Sequence, residues 1–239
     1  MATKAFVLAG GEGRRLAPLT TIIPKPLVPV GNQSILEILL LQIVAAGILE
    51  ITVSIGYLGN LIEAVIGDGS RLGARVTYTR EPAPLGTAGA LGLMEPIDDS
   101  DNVLVVNGDT LTNLDFGQLV LEHRRVSAAA TVACHRRRIV SEFGVLEIDD
   151  QHGLVGYHEK PAIEQVVSMG VNVIAGRHVN QHLRPARHCN MPDLLVNLMG
   201  DHLVHCVEHN GIWLDLGRVD DVRAANELFI AQPNTFLTQ

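Results

Sequence analysis

A glycine-rich loop, a lysine set between prolines and two aspartates beside apolar runs are the residues of this chain whose types and spacing could work on a phosphate. Leu8-Ala9-Gly10-Gly11-Glu12-Gly13-Arg14-Arg15-Leu16 ends an apolar stretch with three glycines, and backbone N–H groups bared by glycine can approach a phosphate closely. Such a loop alone is more often a tight turn, and two better-known phosphate signatures are not met. Leu16 stands where the dinucleotide fingerprint needs a third glycine, and GxxxxGKS/T occurs nowhere. Lysine is used only three times, at Lys4, Lys25 and Lys160. Lys25 lies in Pro24-Lys25-Pro26-Leu27-Val28-Pro29-Val30, where prolines give its ammonium a defined direction, and Lys160 is held extended before Pro161. In isolation Lys25 would read as a solvated loop residue. Asp109 follows the run Val103 to Val106 and Asn107-Gly108, and Asp215 lies in Trp213-Leu214-Asp215-Leu216-Gly217. A lone Asp at such a place is usually a turn residue. Two of them near a phosphate loop suggest Mg²⁺, which takes oxygen ligands and keeps phosphates as partners.

Those residues need a scaffold, and short β-branched runs alternating with helical stretches supply the pattern of βαβ units. Strands are expected at Lys4 to Leu8, Glu50 to Ile55, Arg75 to Arg80 and Asn102 to Val106. Helices are expected from Ser34, which forms a capping box with Glu37, to about Ala46, and at Gly59 to Ile66, Thr87 to Leu93 and Phe116 to Val126. After residue 128 the texture turns strand-rich, with runs at Ala129 to His135, Gly144 to Ile148, Leu154 to His158 and Gly170 to Ile174. A helix at Pro192 to Met199, a strand at Leu203 to Val207 and a helix from Val219 to about Ala231 close the chain. The expected fold class is α/β, a Rossmann-like, mostly parallel sheet flanked by helices with a smaller strand-rich lobe. The expected organisation is one domain over 1–239, with a first half over 1–127, a second lobe over 128–218 and a C-terminal helix over 219–239.

Composition limits the partners. With 18 basic and 26 acidic residues the 239-residue chain carries a formal charge of −8, so nucleic acid is not an expected partner. Positive charge for a phosphate must therefore be concentrated locally. Three cysteines without a CxxC pair argue for reduced surroundings, and the apolar stretch Ala5 to Ala9 is too short for a signal peptide. Ile35 to Ile48 falls short of a membrane span, so a cytoplasmic protein without a membrane partner is expected. Asp115-Phe116-Gly117 reads as a helix start, since no other kinase element accompanies it. His202, His205, Cys206 and His209 alternate along a strand and would not all point one way, so zinc is not expected there.

The ordered set Leu8-Ala9-Gly10-Gly11-x-Gly13-x-Arg15-Leu16-x-Pro18-Leu19-Thr20, Pro24-Lys25-Pro26-Leu27, Glu81-x-x-x-Leu85-Gly86-Thr87-Ala88-Gly89, Asn107-Gly108-Asp109, Phe143-Gly144-Val145, Glu159-Lys160-Pro161, Gly170-Val171-Asn172 and Trp213-Leu214-Asp215-Leu216-Gly217 resembles the sugar-1-phosphate nucleotidyltransferases, the NDP-sugar pyrophosphorylases. The resemblance runs through almost the whole chain. It departs at Arg14, where the family usually has Thr or a small residue, and Arg15 is favoured as the working arginine by its register with Leu16 and Pro18. Hexapeptide repeats are missing after the last helix, so a fused acetyltransferase is not expected.

The resemblance implies transfer of a nucleotidyl group from a nucleoside triphosphate to a sugar 1-phosphate with Mg²⁺. By the same resemblance Leu8 and Ala9 belong to the nucleotide site and Gly10, Gly11 and Gly13 cradle the triphosphate, while Arg15 and Lys25 balance phosphoryl charge and Asp109 and Asp215 hold the metal. Glu81, Leu85 and Gly86 border the base. Gly144, Glu159, Lys160 and Asn172 belong to the sugar 1-phosphate site, and a homo-oligomer is in keeping with the family. Leu85-Gly86-Thr87-Ala88-Gly89 looks most like the mannose-1-phosphate guanylyltransferase branch, which makes GTP the expected donor. The alternatives are a uridylyl- or thymidylyltransferase of the same family, or a non-catalytic sugar-nucleotide-binding regulatory subunit, the latter disfavoured by intact Arg15, Lys25, Asp109 and Asp215.

Overall fold

The computed structural model describes residues 1–184, 186–217 and 219–236. Strand β1 (Thr3–Ala9) sends Ala5 and Val7 to one side and Phe6 to the other, all fully buried, as a strand covered on both faces requires. After the short pair β2 (Pro29–Val30) and β3 (Gln33–Ser34) comes α1 (Ile35–Ala45). Ser34 Oγ accepts the Glu37 N–H at 3.2 Å, and Glu37 Oε2 accepts the Ser34 N–H at 3.1 Å, which is the capping box read from the sequence. Then follow β4 (Glu50–Ile55), α2 (Gly59–Ile66), β5 (Arg75–Arg80), α3 (Gly86–Gly89), β6 (Asn102–Asn107), β7 (Thr110–Thr112) and α4 (Phe116–Val126), which Asp115 caps by accepting the Gln118 N–H. The stretch expected as one helix from Thr87 to Leu93 is α3 followed by a 3-10 turn over Ala90–Leu93.

The second half contributes β8 (Ala130–Val140), β9 (Val145–Ile148), β10 (Leu154–His158), β11 (Ala162–Ala175), α5 (Gly176–Leu183), α6 (Met191–Met199), β12 (Val204–Glu208), β13 (Trp213–Asp215) and α7 (Val219–Ala231). Seven strands form one sheet in the order β12-β8-β11-β6-β1-β4-β5, with β6, β1, β4 and β5 mutually parallel and β11 antiparallel to both its neighbours. Helices α1, α2 and α4 cover the Ala5 and Val7 face, whereas α5 and α6 cover the Phe6 face. This is the expected α/β fold with a mostly parallel, helix-flanked sheet. Of the C-terminal segment, residues 237–239 lie outside the described residues.

Strands β8 and β11 and helix α5 depart from the sequence reading. Strands β8 and β11 are longer than the runs Ala129 to His135 and Gly170 to Ile174. Their inner parts, around Ala130–Cys134 and Met169–Ala175, are buried in the central sheet, and their outer parts run on into water. Arg136-Arg137-Arg138 and Glu164-Gln165 interrupt the apolar pattern there, because no core face imposes one. The outer parts continue into the β9/β10 hairpin, so residues 136–168 form a projecting two-stranded arm whose root belongs to the main sheet. Helix α5 was not foreseen. Its apolar contacts to the core come from Val179 and Leu183 in an otherwise polar octapeptide.

His123 on α4 is buried between strands: its Nε2–H donates to Asn102 Oδ1 at 3.1 Å and its Nδ1 accepts from the Thr131 hydroxyl at 2.9 Å. Desolvation, helped by the Arg124 charge, pushes its pKa down to about 4. An unfolded chain protonates this imidazole below about pH 6.5, while the folded one does not until about pH 4, so stability falls as pH drops through that window. Between pH 7 and pH 5 the loss from this residue should be on the order of 2 kcal/mol. Urea denaturation at the two pH values should show a smaller difference for His123→Gln than for wild type. An unchanged difference would mean His123 is not the titrating group.

Candidate active site

Strands β4 and β6 lie on opposite sides of β1, so the order of the sheet reverses at β1 and leaves a crevice beyond the carboxyl ends of β1 and β6. A cleft of about 530 Å³ occupies it, and Leu8, Ala9, Gly10, Gly11, Gly13, Arg15, Lys25, Glu81, Gly86 and Asp109 all line it. Gly13 adopts φ +63°, and a Cβ there would stand 3.0 Å from the Cβ of Lys25, so the loop lies directly on the lysine. Gly13 O also accepts from Leu16 N–H and the Thr20 hydroxyl, both at 2.9 Å.

The Lys25 backbone is a 3-10 turn entered from Pro24, with Leu27 N–H donating to Pro24 O at 2.8 Å. Lys25 is only 7% exposed. Its ammonium is paired with Asp109 and lies 3.9 Å from Asp215 Oδ1. The two carboxylates are brought together by an antiparallel ladder that puts Asp215 opposite Thr110, one residue from Asp109. Beneath them Val28, Val30, Leu111, Leu216, Ala225 and Phe229 share one apolar cluster, so the segments carrying all three charges are packed on one small core closed by α7. Asn226 of α7 accepts the Gly31 N–H at 2.8 Å and ties that helix to the turn after Lys25.

The two adjacent arginines differ. Arg14 is turned into solvent with Nε 2.5 Å from Glu12 Oε2, which raises its pKa and lowers that of Glu12. Arg15 lies against the end of the β13 motif, since a Cβ on Gly217 would stand 3.2 Å from its Nη1. Glu81 uses its carboxylate to shape the next loop: Oε2 accepts the Leu85 N–H at 2.7 Å and Oε1 lies 3.4 Å from the Ser54 hydroxyl. Gly86 has φ +75°, with a Cβ there 2.6 Å from Cys189 O, so only glycine fits against that chain. Leu85 is not among the lining residues and anchors the loop, its carbonyl accepting the Cys189 N–H at 2.9 Å.

A divalent ion would meet two partly solvated carboxylates, Asp109 and Asp215, facing one point held by Lys25. That donor set suits Mg²⁺, which is bound through one or two carboxylates and completes its shell with water and phosphate oxygens. Among the described residues no group of three or more His, Cys, Asp and Glu is arranged to hold a metal by protein ligands alone.

The residues expected at the sugar are placed differently. Gly144 and Glu159 meet on the arm, where a Cβ on Gly144 would lie 3.2 Å from Glu159 Oε2 and the Tyr157 hydroxyl donates to that same oxygen at 3.1 Å. Glu159 and Lys160 are exposed, and Asn172 is inside the sheet with its Oδ1 buried and unpartnered. None of the four lines the cleft. Conversely Asn107, Thr87 and Gly217 do line it, and none was singled out as a site residue although each stands in one of the quoted motifs. Position in a motif was the available signal for them.

Comparison with known proteins gives a match of residues 4–232 to the family model described as nucleotidyl transferase. The chain is 34% identical over 233 residues to the mannose-1-phosphate guanylyltransferase of Mycobacterium tuberculosis, covering 94% of this chain and 64% of that protein. It is 30% identical over 236 residues to the UTP–glucose-1-phosphate uridylyltransferase of a Synechocystis species, covering 91% and 61%. It therefore spans less than two thirds of either relative. A crystal structure assigned as a glucose-1-phosphate thymidylyltransferase of Bacillus anthracis, in complex with a sucrose, superposes with a TM-score of 0.76 at 26% identity, covering 95% of each chain.

Removing Asp109 leaves a buried ammonium with its remaining carboxylate 3.9 Å away. Asp109→Ala should therefore lose about 2 kcal/mol in urea denaturation. Adding Lys25→Met should recover part of the loss, because the stranded charge goes with it. Losses that simply add would show that the pair is not coupled.

Proposed function

The chain belongs to the nucleotidyl transferase family, and from that premise we propose that it joins a nucleoside triphosphate to a sugar 1-phosphate, releasing pyrophosphate and leaving an NDP-sugar. The observation that carries the reading is the convergence, in one cleft at the ends of β1 and β6, of a glycine loop with Arg15, Lys25 and Asp109. In this reading residues 1–127 are the nucleotide-binding half, 128–218 the sugar-binding lobe and 219–239 the C-terminal helical part, whose α7 packs on the cluster of Val28, Leu111 and Leu216. An oxygen of the sugar phosphate attacks the α-phosphorus. The bond from that phosphorus to the oxygen bridging to the β-phosphorus breaks, and pyrophosphate leaves with the electron pair.

Such a reaction asks the protein to hold two polyanions in line and to offset their charge. Backbone N–H groups of Gly10, Gly11 and Gly13 receive the triphosphate, and Arg15 and Lys25 stabilise the charge that grows on the leaving group. Asp109 and Asp215 would hold Mg²⁺, which neutralises phosphate oxygens when bound. Glu159 accepts hydrogen bonds from sugar hydroxyls and Lys160 meets the sugar phosphate, with Gly144 and Asn172 on the same side. Because Gly144, Glu159 and Lys160 stand on the arm, bringing them to the nucleotide requires the arm and cleft to approach each other. A cytoplasmic setting fits the free thiols of Cys134, Cys189 and Cys206.

GTP is the proposed donor. Guanine needs an acceptor for its N1 and N2 hydrogens beside a donor for O6, and Glu81 with the Gly86 N–H offers both on the cleft wall. The Glu81 carboxylate already accepts from Leu85, so it would both shape the loop and use its remaining lone pairs on the base. Uracil and thymine would leave part of that set unpaired, at about 1–3 kcal/mol per buried group.

A pyrophosphate-release assay across four triphosphates and a panel of sugar 1-phosphates tests the reading directly. GTP should exceed UTP and dTTP by at least roughly tenfold in kcat/KM, and Glu81→Gln should narrow the gap. A preference for UTP or dTTP would remove the guanylyl assignment, and no release with any pair would remove the reaction. Asp109→Asn and Asp215→Asn should each lower kcat by about two orders of magnitude. Lys25→Ala should depress kcat, whereas Lys160→Ala should chiefly raise KM for the sugar 1-phosphate. The opposite pattern for the two lysines would reverse their assigned phosphates.

A further inference from the structure

The segment that carries the glycine loop to the Lys25 turn lies mostly on the surface. Between Gly11 and Ile22 only Leu16 and Thr20 are buried. Its internal ties are short-range: Leu16 N–H and the Thr20 hydroxyl both reach Gly13 O, and Thr21 N–H donates to Pro18 O at 3.0 Å. A surface segment of this kind opens at low cost, so its amides stay aimed at one point only if its ends are fixed to something rigid.

The turn between β4 and α2 meets both ends. Gly56 packs on the first: a Cβ there would stand 2.7 Å from Gly10 O and 3.1 Å from Gly10 Cα, so glycine alone permits the approach. The Tyr57 N–H donates to that same Gly10 O at 3.4 Å. Its side chain reaches the other end, where the phenol donates to Thr21 O at 3.1 Å. Thr21 is the last residue of the 3-10 turn over Leu19–Thr21, shortly before Lys25. The turn that presents Tyr57 is itself firmly set. Gly59 N–H donates to Gly56 O at 3.0 Å, and Leu58 is held at φ +53°, a left-handed conformation that a leucine keeps only where its surroundings impose it. Below it Val53, Ser54 and Ile55 of β4 are buried in the sheet.

We propose that Tyr57 is a positioning residue for the phosphate loop, clamping both ends of residues 10–21 so that the loop amides and the Lys25 turn are set for a triphosphate before it arrives. A loop ordered beforehand loses less entropy on binding, so the clamp raises affinity. The inference rests on the reading of the cleft as a triphosphate site and is independent of the base and the sugar. Tyr57→Phe removes one hydroxyl and keeps a ring that is already 37% exposed, so the chain stays folded. In the ligand-free protein the amides of Leu16, Ala17 and Thr21 should then exchange with solvent at least roughly threefold faster, while those of β4 and α2 keep their protection. Calorimetry with the α,β-methylene analogues of GTP, UTP and dTTP and Mg²⁺ supplies the second readout. For the analogue that the wild type binds most tightly, Tyr57→Phe should raise Kd roughly three- to tenfold, the worth of one neutral hydrogen bond. In the pyrophosphate-release assay the same factor should appear in KM for the triphosphate and not in KM for the sugar 1-phosphate, a split that general loosening of the fold would not give. The first two readouts need no turnover, so failure of the proposed reaction and failure of the clamp are told apart. A wild type that binds none of the analogues, loop amides or a Kd unmoved by Tyr57→Phe, or a loss of protection shared by β4 and α2 would each overturn the proposal.

Discussion

One ammonium between two carboxylates organises the functional end of this molecule. Asp109 and Asp215 are brought side by side by the β7–β13 ladder, and two like charges at that spacing repel each other unless a cation stands between them. Lys25 supplies it, from a proline-bounded turn far away in sequence. Burying that lysine is tolerable only because the carboxylates are there, so the groups hold one another in place. Their carriers meet again below, where Val28, Leu111, Leu216 and Phe229 lie in one apolar cluster. Helix α7, at the far end of the chain, thus steadies a site whose glycine loop is near its beginning.

The same arrangement reconciles an acidic chain with an anionic ligand. A formal charge of −8 would repel a triphosphate at long range, yet the cleft gathers Arg15, Lys25 and the glycine N–H groups around one volume. The acidic residues there are the few that could face a metal or a base. Local concentration of charge at a sheet-end crevice does the work that net charge cannot.

Most of the cleft was legible because its residues sit in contiguous motifs at strand ends, where backbone geometry leaves little freedom. Gly10, Gly11, Gly13, Lys25, Glu81, Gly86 and Asp109 are on the wall, and the helix boundaries at Ser34, Gly59 and Phe116 follow from capping and periodicity. What escaped was long-range. The three-residue strands β7 and β13 leave no periodic trace, although they decide that Asp215 meets Lys25. The outer halves of β8 and β11 carry Arg136–Arg138 and Glu164 where a core-facing strand would alternate, so their extension could not be read. Hence residues grouped by sequence order, Gly144 and Glu159 among them, lie on the arm and not among the residues lining the cleft. Leu85 shows the converse, being in the right motif but anchoring the loop through its carbonyl and not lining the cleft.

The central claim is that this cleft joins two phosphates by attack of one on the α-phosphorus of the other. Supplying sugar 1-phosphate labelled with ¹⁸O on its phosphate, together with unlabelled GTP, and following the products by ³¹P NMR tests it most directly. The account predicts that all label stays in the NDP-sugar, including the oxygen that bridges its two phosphorus atoms, and that the released pyrophosphate carries none. Label in pyrophosphate, or release of unlabelled inorganic phosphate without an NDP-sugar, would contradict it.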